Sequence, residues 1–134
     1  MNGRDEALRG VPRFSLCLPA CGREITAEVL LLKSGVHVSI YGGDAPHIGA
    51  VAVIDPAGSL TMNEFPGHRD GVICRHWADR FNVERFHPAV IECGIHYDGI
   101  TREGIQEVVS VTDDMLEVVV QRIASVLIEP KGFP

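Results

Sequence analysis

Three histidines stand in glycine- and proline-bearing settings. They are His47 in Gly42-Gly43-Asp44-Ala45-Pro46-His47-Ile48-Gly49, His68 in Pro66-Gly67-His68-Arg69-Asp70, and His96 in Gly94-Ile95-His96-Tyr97-Asp98. Glycine admits backbone conformations that other residues avoid, and proline fixes φ, so an imidazole held in such a segment is aimed. Two of the three repeat the pattern His-x-Asp, at His68/Asp70 and His96/Asp98. A divalent ion such as zinc takes three or four N, S or O ligands at about 2 Å. His47, His68 and His96, drawn from separate loops, are therefore a candidate metal set. Asp44, Asp70 and Asp98 are candidates for fixing the imidazole tautomers. The segment Gly67-His68-Arg69-Asp70 opens a helical pattern, where imidazole, guanidinium and free amides suit an anion.

Other chemistry is less well served. No helical His-x-x-x-His pair anchors a metal, and no Ser or Cys sits in a nucleophile elbow. Cys93 and His96 are three residues apart in an apolar strand pattern, which sends them to opposite faces. Cys17 and Cys21 lack the spacing of a zinc knuckle or redox motif, so all four cysteines, with Cys74, read as reduced small hydrophobes. His37, His76 and His87 read as structural or solvated.

The elements that would position these residues follow from periodicity. Arg13–Leu18, Ile25–Leu31 and Val36–Ile40 alternate with period two, with turns at Cys21-Gly22 and Ser34-Gly35. Ile48–Ile54 is a continuous apolar run, which predicts a central strand covered on both faces. Asp55-Pro56-Ala57-Gly58 is a turn by composition. Asp70–Phe81, with Val72, Ile73, Trp77 and Phe81 on one face, predicts a helix, and Ala89–Ile95 a buried strand. Thr101 reads as the N-cap of one helix. Thr112-Asp113-Asp114 reads as the start of another, with Leu116, Val119, Val120, Ile123, Val126 and Leu127 as its apolar stripe and Pro130 its stop. The short connections favour an antiparallel meander. The expected fold is α+β, a mostly antiparallel sheet with helices packed on one face. One domain over 1–134 is expected, with an ordered core of about 13–128.

Composition bounds the function. The 134 residues carry a net charge of −6, with 46% hydrophobic and 22% charged residues. Lys33 and Lys131 are the only lysines, and no basic block exists to neutralise a phosphate backbone, so nucleic acid is not an expected partner. No apolar run reaches the roughly 20 residues of a membrane span, and the first residues lack the apolar core of a signal peptide. A cytoplasmic protein is expected.

The three histidine segments, extended to Gly42–Ala52, Pro66–Asp70 and Cys93–Thr101, resemble the small D-subunit family of gallate and hydroxyarylate decarboxylase systems, the prenylated-flavin chaperones. The resemblance covers residues 13–127. It implies a non-catalytic accessory protein that binds prenylated FMN and assists its maturation or delivery to a UbiD-type, hydroxyarylic acid decarboxylase. It implies cofactor contacts at Gly42, Gly43, Asp44, Gly67, Arg69 and Tyr97, with His47, His68 and His96 at a metal or phosphate site. With few aromatics available for flavin stacking, a site shared in a homodimer is expected. Two other readings stay open at this point. One is a small metal-dependent enzyme in which the three histidines hold a metal that activates water, with Asp70 or Asp98 as general base. The other is a regulatory or structural subunit whose loops only contact a partner.

Overall fold

The computed structural model describes residues 12–66 and 70–127. Three strands come first: β1 (Arg13–Ala20), β2 (Arg23–Leu32) and β3 (Gly35–Gly43). They form an antiparallel meander, as alternation and turn residues predict. Next are β4 (Ala50–Ile54) and β5 (Leu60–Glu64), joined by a turn in which the Asp55 carboxylate accepts the Ala57 and Ser59 amides. The chain continues through α1 (Gly71–Val83), β6 (Ala89–His96) and α2 (Arg102–Leu127).

One sheet contains all six strands, in the order β1-β2-β3-β6-β4-β5. It is α+β and mostly antiparallel, but the meander stops at β3. β6 inserts between β3 and β4, parallel to the first and antiparallel to the second. β3 and β4 are therefore not neighbours, and residues 44–49 must cross the end of β6.

Both helices pack on one face, α1 over β4, β5 and β6, and α2 over β1 and β2. The alternating side chains Ile25, Ala27, Val29, Val38, Ile40, Ala52, Ile54 and Ile91 meet Trp77, Phe81, Leu116, Val119 and Ile123 in one core. The other sheet face carries Ser39, Tyr41, Glu92 and Val53, the last 42% exposed. The expectation that Ile48–Ile54 is covered on both faces is thus wrong. Its apolar run reflects α1 on one side only, with β6 and β5 as lateral neighbours.

Two helix expectations also change. α1 buries Cys74, Trp77, Ala78 and Phe81, whereas Val72 is 71% exposed, so the buried face is rotated away from Val72. Thr101 is a cap, its hydroxyl accepting the Gly104 amide, but Thr112 starts no second helix. Its hydroxyl donates to the Val109 carbonyl one turn back, which satisfies it inside an unbroken α2. The apolar stripe runs through that point from Val108 to Met115, Leu116, Val119, Val120 and Ile123. Val126 and Leu127, expected in the stripe, are partly exposed at its end. Pro130 lies outside the described residues.

All four cysteines are free thiols. Cys74 and Cys93 are core residues, and burial pushes the Cys74 thiol up to about 12, so it stays protonated and inert. Cys17 and Cys21 lie nearer the surface; the thiol of the first is pushed up by its contact with Glu24, that of the second by desolvation.

Candidate functional site

The crossing of residues 44–49 over β6 builds the site. The Asp44 amide donates to the His96 carbonyl at 2.7 Å, the His47 amide to Gly94 at 3.3 Å and the Gly49 amide to Cys93 at 2.9 Å. The crossing chain thus continues the hydrogen bonding of β6 beyond β3. It passes so close that a Cβ on Gly94 would lie 1.5 Å from the His47 carbonyl oxygen. A Cβ on Gly49 would lie 1.9 Å from Asp70 Oδ2. At Gly94 the obstacle is backbone, so glycine is required there; at Gly49 it is the Asp70 carboxylate, which a side chain would push off His47.

That proximity brings His47 to Asp70, which stands at the start of α1 and is only 6% exposed. His47 Nε2 is 2.9 Å from Asp70 Oδ2, and His47 Nδ1 is 3.0 Å from the Ala45 carbonyl oxygen. A carbonyl only accepts, so Nδ1 carries hydrogen. Nε2 then faces a carboxylate, and a proton between the two completes the contact. The other carboxylate oxygen of Asp70 accepts the Ile95 amide at 2.9 Å. Asp70 is therefore no side-chain N-cap. It joins the crossing loop, the end of β6 and the start of α1.

The remaining expected site residues surround this clasp. The His96 ring centroid is 6.4 Å from that of His47, edge to face, and its Nε2 is 2.9 Å from Asp98 Oδ1. Asp44 holds no imidazole. Its carboxylate accepts the Asp98 amide at 3.0 Å and Arg23 Nε at 2.8 Å, and these contacts hold its carboxyl below the usual range. Gly42 lies in the ladder between Ile25 and Ile95, and Gly43 beside His96. Tyr97 is buried, its hydroxyl donating to the Ala20 carbonyl at 2.6 Å. Gly67, His68 and Arg69 lie outside the described residues. Among the described residues no three His, Cys, Asp or Glu side chains converge as a metal site requires. His47 and His96 come together, and Cys93 faces the core, away from His96.

The histidine pattern does not reveal an aliphatic cleft of about 470 Å³ beside these groups, between the first turns of α1 and α2. Ile95 and Tyr97 floor it, Val72, Ile105 and Val109 line it, and Asp70 and His96 supply polar atoms. Its volume is that of a small-molecule site. The exposed Val72 and the surplus aliphatics Ile105 and Val109, beyond what the core stripe needs, are the sequence signal for it. A recess of about 510 Å³ lies on the open sheet face among Arg13, Glu28 and His37, away from the clasp.

Asp70→Asn tests the clasp. The amide can still accept from Ile95 and can donate to a neutral Nε2, so the geometry survives while the charge is lost. The expected cost is about 1 kcal/mol in urea unfolding. The His47 ring ¹⁵N signals should shift as Nε2 exchanges a carboxylate partner for an amide. Unchanged stability together with unchanged ring signals would show that no such contact exists.

A family model described as the prenylated flavin chaperone LpdD-like domain matches residues 20–124. No curated protein matches. A solved structure of a chaperone complex for yeast 20S proteasome assembly is similar in fold, with a TM-score of 0.52 at 10% identity, covering 81% of this chain and 94% of that one. At that identity the likeness concerns the fold alone. No helix among the described residues is long and apolar enough to cross a membrane.

Proposed function

The chain belongs to the prenylated flavin chaperone LpdD-like family, and from that premise we propose that it binds prenylated FMN at this end of the sheet and passes it to a UbiD-type decarboxylase without catalysing decarboxylation itself. The observation that carries the reading is the junction of an aliphatic cleft with the polar cluster of Asp70, His47 and His96. An amphipathic ring system needs both. When bound, the prenylated flavin would supply the electron sink of the decarboxylase reaction. The residues of this chain bind and orient it.

In this reading the cluster holds the polar edge of the flavin. Gly42 and Gly43 keep the loop in register, Asp44 and Tyr97 frame it, and Gly67 and Arg69, directly before α1 in sequence, meet the phosphate. A metal held by His47 and His96 would take its third imidazole from His68 and would require His47 Nε2 to leave Asp70. A cytoplasmic homodimer is part of the proposal, with the open sheet face available to the second copy.

A titration and an activation assay test this. Prenylated FMN should quench or shift on addition of the protein, and the protein should speed activation of an apo-decarboxylase while leaving the rate of the mature enzyme unchanged. Loss of an arylcarboxylic acid with this protein alone would overturn the chaperone reading in favour of the metal-dependent enzyme. Metal analysis of the same sample reads the histidine set.

A further inference from the structure

We propose that the cleft between α1 and α2 seats the prenyl-derived carbons of the flavin, and that Val72 and Val109 thereby distinguish prenylated from unprenylated FMN. The inference rests on the chaperone reading and adds the basis of its selectivity.

The two helices meet in a ladder of rungs one turn apart. His76 pairs with Asp113 at 3.1 Å, and Arg80 pairs with Glu117 one turn further along both helices. One turn back, the corresponding rung is Val72 and Val109, which line the same cleft. The polar rungs join the helices, and the apolar rung stands open. Val72 is 71% exposed, Ile105 44% and Val109 38%. Apolar surface gathered this way in water marks a binding site rather than scattered exposure.

The kind of surface selects the occupant. The walls are branched aliphatic side chains. The aromatic residue in the lining, Tyr97, is buried with its hydroxyl engaged by Ala20. Flat aromatic rings are commonly stacked on aromatic side chains, whereas methyl-bearing saturated carbons fit between valine and isoleucine. A prenyl unit contributes such carbons to the flavin and unmodified FMN lacks them there. The cleft also ends at Asp70 and His96, so a ligand anchored by its polar edge would carry its aliphatic part between the helices. Each buried CH₂ strengthens binding roughly fourfold, and partial burial of the prenyl unit yields a preference of about tenfold or more.

The test compares dissociation constants of FMN and prenylated FMN for the wild-type protein, Val72→Thr, Val109→Thr and Val118→Thr. Threonine keeps the shape of valine and places a hydroxyl in the cleft, while Val118 is exposed elsewhere on α2. The wild type and Val118→Thr should prefer prenylated FMN. Val72→Thr and Val109→Thr should reduce that preference by roughly tenfold, with FMN affinity little changed. Val72 is mostly in solvent, so its variant folds even if Val109→Thr is weakened. Preference retained in both cleft variants overturns the inference and leaves the chaperone reading intact. Equal binding of the two flavins by the wild type overturns it too. Binding of neither flavin overturns the chaperone reading itself, and the inference with it.

Discussion

Gly94→Ala should cost about 3 kcal/mol of stability and loosen the loop that carries His47. The added methyl would stand 1.5 Å from the His47 carbonyl oxygen and 2.1 Å from its carbonyl carbon. These are backbone atoms, so no rotamer change relieves the overlap. Overpacking typically costs about 1–3 kcal/mol, and rigid neighbours place this site at the upper end. The crossing loop must lift away from β6. That weakens the Gly49–Cys93 and His47–Gly94 hydrogen bonds and moves His47 from Asp70. Urea unfolding would read the loss of stability, and amide exchange at Gly49 the loosening. A midpoint change worth less than about 0.5 kcal/mol, the range of ordinary surface substitutions, would mean that the loop does not cross here.

Ile123→Ala should cost about 2–5 kcal/mol, as buried large-to-small changes do when the surroundings cannot collapse. Ile123 is fully buried, one turn beyond Val119 and Val120 on the face of α2 that covers β1 and β2. The β1–β2 pairing and the length of α2 hold the cavity walls apart. Gln121→Ala, on the exposed face of the same helix, serves as the comparison and should stay within about 0.5 kcal/mol. Thermal or urea unfolding distinguishes the two. Equal effects would show that α2 does not pack with this stripe inward. In both experiments the denaturant slope should be preserved, since the fold buries the same surface otherwise.

Residues that act locally were legible. Alternation placed Val36, Val38 and Ile40 towards the core, and glycine and aspartate placed the turns. Thr101 marked the start of α2 because a cap is a contact between residues three apart. Thr112 looked like the same signal and was not. A threonine hydroxyl can serve a cap or the preceding turn, and the uninterrupted stripe around it decided for the turn. The histidine motifs located one end of the sheet. They did not reveal that His47 would take Asp70 as partner, or that Asp44 would serve Arg23 and the Asp98 amide.

By itself the sequence determined the strands of the meander, the helix after Asp70, the buried strand that follows it and, through three motifs, the family; it divided α2 in two at Thr112 and left β5 unread. Those properties reside in side-chain period, turn chemistry and short segments. Tertiary structure alone decided that β6 enters between β3 and β4. That one insertion makes the β3–β6 pair parallel, forces the loop across Gly94, brings His47 to a carboxylate 23 residues away and leaves the aliphatic cleft beside them. Strand order carries no periodic signature, because any of several partners satisfies the same backbone hydrogen bonds and the same apolar face. The choice is made by how all six strands and both helices bury their surfaces together.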